Sequence, residues 1–195
     1  MTRRPRWFTS TKEGHSEWYV ERFRTMAAEG ADLAGEARLV DAIVAPRSRI
    51  LDAGCGPGRV GSELFDRGHT VVGVDVDPVL IAAAQEDHPG PRWLVGDLSQ
   101  LDLDEDPFDA AVVAGNVMVF LAPGTEAEVL SRLRTHVRRD GRIAVGFRLD
   151  TAYTLERFDA DIATSGLVLE QRFATWDLVP YAEGADFAVT LLRVP

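Results

Sequence analysis

The chain has 195 residues, 46% hydrophobic and 27% charged, which describes one globular domain with material for a sizeable core. A net charge of −10 disfavours a surface that tracks phosphate backbones, so nucleic acid is not an expected partner. The single cysteine, Cys55, excludes an internal disulfide framework and a cysteine-rich zinc site, and it fits a reducing cytoplasm; no metal is expected.

The opening Arg3-Arg4-Pro5-Arg6 runs into Trp7-Phe8-Thr9-Ser10 rather than an apolar core, so no leader is expected. Residues 1 to about 14 read as a loose arm. Glu17 to about Glu29 reads as a helix, with Trp18, Phe23 and Met26 sharing a broad face and Gly30 ending it. Asp32 is placed to cap a second helix with the stripe Leu33, Ala37, Val40 and Val44, which Pro46 stops. Residues 1–32 are therefore expected to form an arm and a lid helix, and residues 33–195 the main domain.

Arg49 to Ala53 is a short apolar run ending beside an acid, which suits a buried strand. Gly54, Gly56 and Gly58 then permit positive φ and close approach of a ligand to bare backbone. From Arg59 the period becomes helical, through Val60, Leu64 and Phe65. Strand, glycine turn and helix together offer unpaired N–H groups to a nucleotide-type ligand. Cys55 lies inside this loop, where a small side chain is needed.

Strands and helices then alternate. Thr70 to Val76 reads as the second strand, with Asp77 as N-cap and Pro78 as first residue of a helix to about Asp87. Arg92 to Asp97 and Phe108 to Asn116 are the third and fourth strands. A helix from about Gly124 to Arg138 follows, then a fifth strand, Gly141 to Phe147. The longest apolar stretch, Ala110 to Ala122, is shorter than the ~20 residues of a membrane span and contains Asn116, so no membrane is expected. After a helix from about Thr154 to Thr164, Leu167 to Val179 and Asp186 to Val194 read as a helix-free antiparallel hairpin. The expected fold is α/β, a doubly wound, mainly parallel seven-stranded sheet with helices on both faces and ligands beyond the strands' carboxyl ends.

The pattern Asp52-x-Gly54-x-Gly56-x-Gly58 resembles the first motif of class I S-adenosylmethionine-dependent methyltransferases. It also overlaps the fingerprint of NAD-binding folds. Asp75, about 20 residues on, ends the second strand where either cofactor places a ribose-binding acid. Val76 follows it, and Gly96-Asp97-Leu98 ends the third strand. The methyltransferase resemblance extends over about residues 33 to 195. It implies that Asp75 accepts from the ribose hydroxyls, Val76 and Leu98 cover the adenine, and Asp97 accepts the adenine amino group. Asp52 suits a ligand carrying a nearby cation, as S-adenosylmethionine does, better than a pyrophosphate. Each acid also has a plain structural reading, as a strand end or a turn cap. Asp77 is assigned to helix capping, and Asp102, Asp104, Glu105 and Asp106 to a solvated loop.

The resemblance implies a methyltransferase whose donor is S-adenosylmethionine, with S-adenosylhomocysteine as product. Its cofactor residues would be Asp52, Gly54, Cys55, Gly56, Gly58, Asp75, Val76, Asp97, Leu98 and Asn116. Ala114-Gly115-Asn116-Val117-Met118-Val119-Phe120 departs from the Asn-Pro-Pro-Tyr tetrapeptide of enzymes acting on planar nitrogens, which again points away from nucleic-acid bases. His15, Tyr19 and Asn116 are the candidates for catalytic roles. Trp18, Tyr19 and Arg22 from the lid helix, with Arg148, Tyr153 and Trp176 from the C-terminal half, are candidates for the acceptor pocket. His69, His88 and His136 read as structural or solvated. The expected acceptor is a small molecule and the expected state a monomer or homodimer. The alternatives are an NAD(P)-dependent oxidoreductase, a protein- or RNA-modifying methyltransferase, and a non-catalytic cofactor-binding protein.

Overall fold

The computed structural model describes residues 3–195. In chain order the helices are α1 (Arg6–Thr9), α2 (His15–Ala28), α3 (Gly35–Ala42), α4 (Arg59–Asp66), α5 (Pro78–Asp87), α6 (Val117–Phe120), α7 (Glu126–His136) and α8 (Leu155–Ser165). The strands are β1 (Arg49–Ala53), β2 (Thr70–Asp75), β3 (Arg92–Val95), β4 (Phe108–Val113), β5 (Val137–Arg148), β6 (Val168–Phe173) and β7 (Phe187–Arg193). They form one sheet in the order β3-β2-β1-β4-β5-β7-β6, in which β7 alone runs against its neighbours.

Alternation along the strands sorts the core into two layers. Leu51, Val72, Ala111, Val113, Ile143 and Val145 face α7 and α8, where Leu130, Leu133, Phe158 and Ile162 meet them. Ile50, Val71, Val112 and Ala144 face the opposite way, onto Ala37 and Val40 of α3 and Val60 and Leu64 of α4. Asp52 shares that second face with Ile50, two residues before it. This is why its carboxylate meets α4.

Local chemistry explains most element ends. Asp77 accepts from the Val79 N–H at 2.9 Å with Pro78 at the first helical position, so α5 starts as expected. Thr154 caps α8 and Gly166 ends it in the left-handed region. Elsewhere the structure corrects the reading. Asp32 accepts from Ala34 N–H at 3.1 Å and pairs with Arg38, but α3 begins only at Gly35, with Ala34 as cap. Strand β4 stops at Val113, and the expected loop after it contains α6. Strand β5 starts at Val137, yet Phe108 pairs with Val137 and Ala110 with Arg142, so residues 138–141 bulge out with Asp140 at φ 60°.

The largest correction concerns residues 3–14, which are folded rather than loose; Met1 and Thr2 lie outside the described residues. Trp7 is buried, and its Nε1–H donates to Asp77 Oδ2 at 2.6 Å. Ser16 donates to the same oxygen. Arg3 donates to the carbonyls of Pro123 and Gly124, and Arg6 pairs with Glu126 at 3.4 Å. The N-terminal segment is thus strapped across the carboxyl ends of the strands.

Candidate functional site

The site lies where the parallel strands β1, β2, β3 and β4 end, as doubly wound sheets dictate. Gly54, Gly56 and Gly58 have φ of 81°, 54° and 88°, a conformation that side chains oppose. At Gly54 the constraint is also steric: an added Cβ would lie 2.3 Å from a methyl of Val117. The loop therefore turns in the space of bare backbone. A cavity opens beside it.

Three carboxylates enter this cavity. Asp52 Oδ2 accepts from the Gly61 N–H at 2.8 Å, across the first turn of α4. Burial pushes its pKa up to about 7, against the pull of that N–H. Asp75 Oδ2 accepts from Gly56 N–H at 2.8 Å and Oδ1 from Asp77 N–H at 2.9 Å, so it ties β2 to the glycine loop. Burial raises it to about 6. Asp97 accepts from the Ser99 N–H and hydroxyl at 2.9 and 2.8 Å, capping the single turn Leu98–Gln100 while lining the cavity. Burial disfavours the charged forms of Asp52 and Asp75, so a ligand that brings cations or hydroxyls to them is favoured.

The remaining walls are mostly apolar. Val76, Leu80 and Leu98 line one part, and Ala114, Gly115, Val117, Phe120 and Leu121 another. The roof comes from Pro5, Trp7, Tyr19 and Phe23. Trp7 meets Tyr19 and Phe120 edge to face, with centroids 5.5 and 5.4 Å apart, and Tyr19 meets Phe23 at 4.9 Å. Tyr19 stands over Gly56 and Gly115, and burial raises its pKa.

Of the sequence candidates, Asp52, Gly54, Cys55, Gly56, Asp75, Val76, Asp97, Leu98 and Tyr19 come together at this cavity. Gly58 sits just behind, against Ala84 and Trp93. Buried Cys55 has its pKa raised well above the ordinary thiol value by that burial, which leaves an inert thiol.

Other candidates go elsewhere. Asn116 has φ 66° and its Oδ1 accepts from the Arg148 N–H at 2.8 Å, so it fastens α6 to the end of β5. Arg148 is exposed and paired with Asp150. Tyr153 is fully buried against Phe147 and Phe158, and its hydroxyl donates to Asp161 at 2.7 Å. Trp176 packs on Gly146, on the α3 face of the sheet. Trp18 is exposed, with Arg22 over its ring at 5.7 Å, and His15 meets Trp7 edge to face and lies tilted beside Trp18. None of these lines the cavity. Sequence reasoning missed Trp7, Phe23, Arg59 and Phe120. For Trp7 the signal was an aromatic in a segment dismissed as an arm. For Arg59 it was a cation directly after the third loop glycine.

His69 and His136 have structural partners. The first joins Ser48 to Asp41, and the second accepts from the Leu103 N–H at 3.0 Å. Among the described residues no cluster of three or more His, Cys, Asp or Glu could hold a metal, and no helix is long and apolar enough to cross a membrane.

The model of a methyltransferase domain family matches residues 50–141, from β1 to β5. A solved structure described as a TehB-like SAM-dependent methyltransferase from Corynebacterium glutamicum superposes with a TM-score of 0.90. It is 42% identical, over 94% of this chain and 100% of that one. The chain belongs to the S-adenosylmethionine-dependent methyltransferases. Among curated methyltransferases, EEF1A lysine methyltransferase 4 of Mus musculus is 31% identical over 115 residues, 54% of this chain and 45% of that protein. Magnesium-protoporphyrin O-methyltransferase of Rhodobacter capsulatus is 34% identical over 127 residues, 60% of this chain and 54% of that one. The chain spans about half the length of these curated relatives. Their named acceptors belong to different chemical classes, a protein lysine and a porphyrin. The methyltransferase family sets aside the oxidoreductase alternative, and S-adenosylmethionine is the cofactor the site fits.

Proposed function

We propose that the protein transfers a methyl group from S-adenosylmethionine to a small-molecule acceptor. The observation that carries this reading is the roofed cavity: three carboxylates at successive strand ends, closed over by Trp7, Tyr19 and Phe23. When bound, the donor supplies an activated methyl on a sulfonium. The protein's work is then to orient it, align the acceptor and exclude water. Asp75 holds the ribose and Asp97 the adenine edge, with Val76 and Leu98 against its faces. Asp52 balances the cationic methionyl end through the oxygen that Gly61 leaves free. Tyr19, kept protonated by burial, presents a hydroxyl donor to the ligand and does not serve as a base.

The aromatic roof over the cavity supports the reading of a small acceptor, and the net charge of −10 opposes a phosphate backbone. We place residues 3–32 as a lid that opens for exchange of donor and product. The lone buried cysteine suits a reducing cytoplasm.

Calorimetry with S-adenosylhomocysteine tests the cofactor half. Asp75→Ala removes the acceptor of two loop N–H groups as well as the ribose contact, and is expected to weaken binding at least about a hundredfold. Unchanged affinity would refute the site. Cell extract incubated with radiolabelled donor tests the acceptor half. Label in the small-molecule fraction is expected; label retained on protein or RNA would replace the small acceptor with a macromolecule.

A further inference from the structure

Arg59 is the one cationic side chain lining the cavity, among the described residues, against the carboxylates of Asp52, Asp75 and Asp97. It occupies the first position of α4, directly after the glycine loop. Its guanidinium is held from outside: Nη1 and Nη2 both reach the Glu36 carboxylate, Nη1 also donates to the Leu33 carbonyl, and the group stacks over Phe23 at 5.3 Å. Glu36 thereby takes the Nη1/Nη2 end of the fork. Among the described residues the Nε–H has no hydrogen-bond partner, and the Nε/Nη2 edge is the second bidentate face of a guanidinium.

The charges of the site match a ligand with two cations and one anion. Carboxylates at the cavity suit a sulfonium and an ammonium, and they repel a carboxylate. That group needs a cation, and Arg59 is where the wall supplies it. We propose that Arg59 binds the carboxylate of the cofactor's methionyl moiety, with Glu36 and Phe23 positioning its guanidinium. Arg22, one of the two arginines that the sequence offered for the acceptor pocket, is exposed, with its guanidinium over the rings of Trp18 and Phe23, and does not line the cavity. The anion contact therefore belongs to the glycine-loop helix, and α3 supports it through Glu36.

The proposal rests on S-adenosylmethionine being the ligand, and its test separates the two. Dissociation constants for S-adenosylmethionine and its decarboxylated form, which lacks only the carboxylate, are measured calorimetrically on wild type, Arg59→Gln and Arg59→Lys. Wild type is expected to prefer the carboxylated form about ten- to a hundredfold. Arg59→Gln is expected to bring that preference to within about threefold of unity, leaving the decarboxylated ligand bound much as before. Arg59→Lys should retain part of it, since an ammonium lacks the second bidentate edge. A preference that survives Arg59→Gln, or equal weakening of both ligands, overturns the assignment. So does a wild-type protein that binds both forms equally, whether or not the variants fold. Failure of wild type to bind either form refutes the methyl-donor reading itself.

Discussion

At the scale of single residues, the site is built from carboxylates that the fold has desolvated. Asp52 and Asp75 are raised from about 3.8 to about 7 and 6 by burial. Below about pH 4 these groups are protonated in folded and unfolded protein alike. Between pH 4 and 7 the folded state keeps protons that the unfolded chain has released, so stability falls as pH rises through that window. Lowered carboxylates such as Asp41, Asp87 and Asp109 contribute stability that is fully present above about pH 4 and is lost only on acidification below it. Ligand-free protein is therefore expected to melt at a higher temperature at pH 5 than at pH 8. Asp52→Asn, which keeps an oxygen for the Gly61 N–H, should shrink that difference, as differential scanning calorimetry would read. A cationic ligand beside Asp52 lowers its pKa again, so donor binding at pH 6 should release protons. The observed binding enthalpy should then depend on the buffer's ionisation enthalpy. Tyr153 makes a contrasting case. Tyr153→Phe loses the hydrogen bond to Asp161 and should lower Tm by a few degrees while leaving donor affinity within about twofold.

At the scale of elements, the N-terminal segment and α5 are joined through one side chain. Asp77 caps α5 with Oδ1 and receives Trp7 and Ser16 with Oδ2. Its own N–H donates to Asp75, so the strap is coupled to the end of β2 that faces the cavity. Trp7→Ala removes both the roof contact and the latch. Donor dissociation, followed by stopped-flow fluorescence, is expected to accelerate at least about tenfold. Tm should fall by only a few degrees, because the sheet core is untouched. An unchanged dissociation rate would mean that the segment is fixed structure and not a lid. Glycine turns, helix caps and strand periodicity in this region were legible because they are local. The cap at Asp77 follows from Asp-Pro alone. Its bond to Trp7 spans 70 residues, and no local pattern announces it.

At the scale of the whole molecule, two apolar layers clamp a sheet whose strand order sets the cavity at one end. Phe147 in β5 sits at the centre of one layer, with Phe158 edge to face at 5.0 Å and Tyr153 at 5.5 Å. Phe147→Ala is expected to cost about 3–5 kcal/mol, a fall in Tm of roughly 10 °C by thermal denaturation. Alternating strand and helix, the acids at Asp52, Asp75 and Asp97, and the glycine loop between them are properties of short stretches of sequence. They determined the fold class and the family. Tertiary structure alone decided which side chains share the cavity. It sent Tyr153 and Trp176 into opposite apolar layers, spent Asn116 on the backbone of Arg148, and brought Trp7 and Arg59 to the cavity. The physical reason is that backbone preferences act over a few residues, whereas a side chain's partners are chosen by packing and hydrogen-bond satisfaction among elements far apart in the chain.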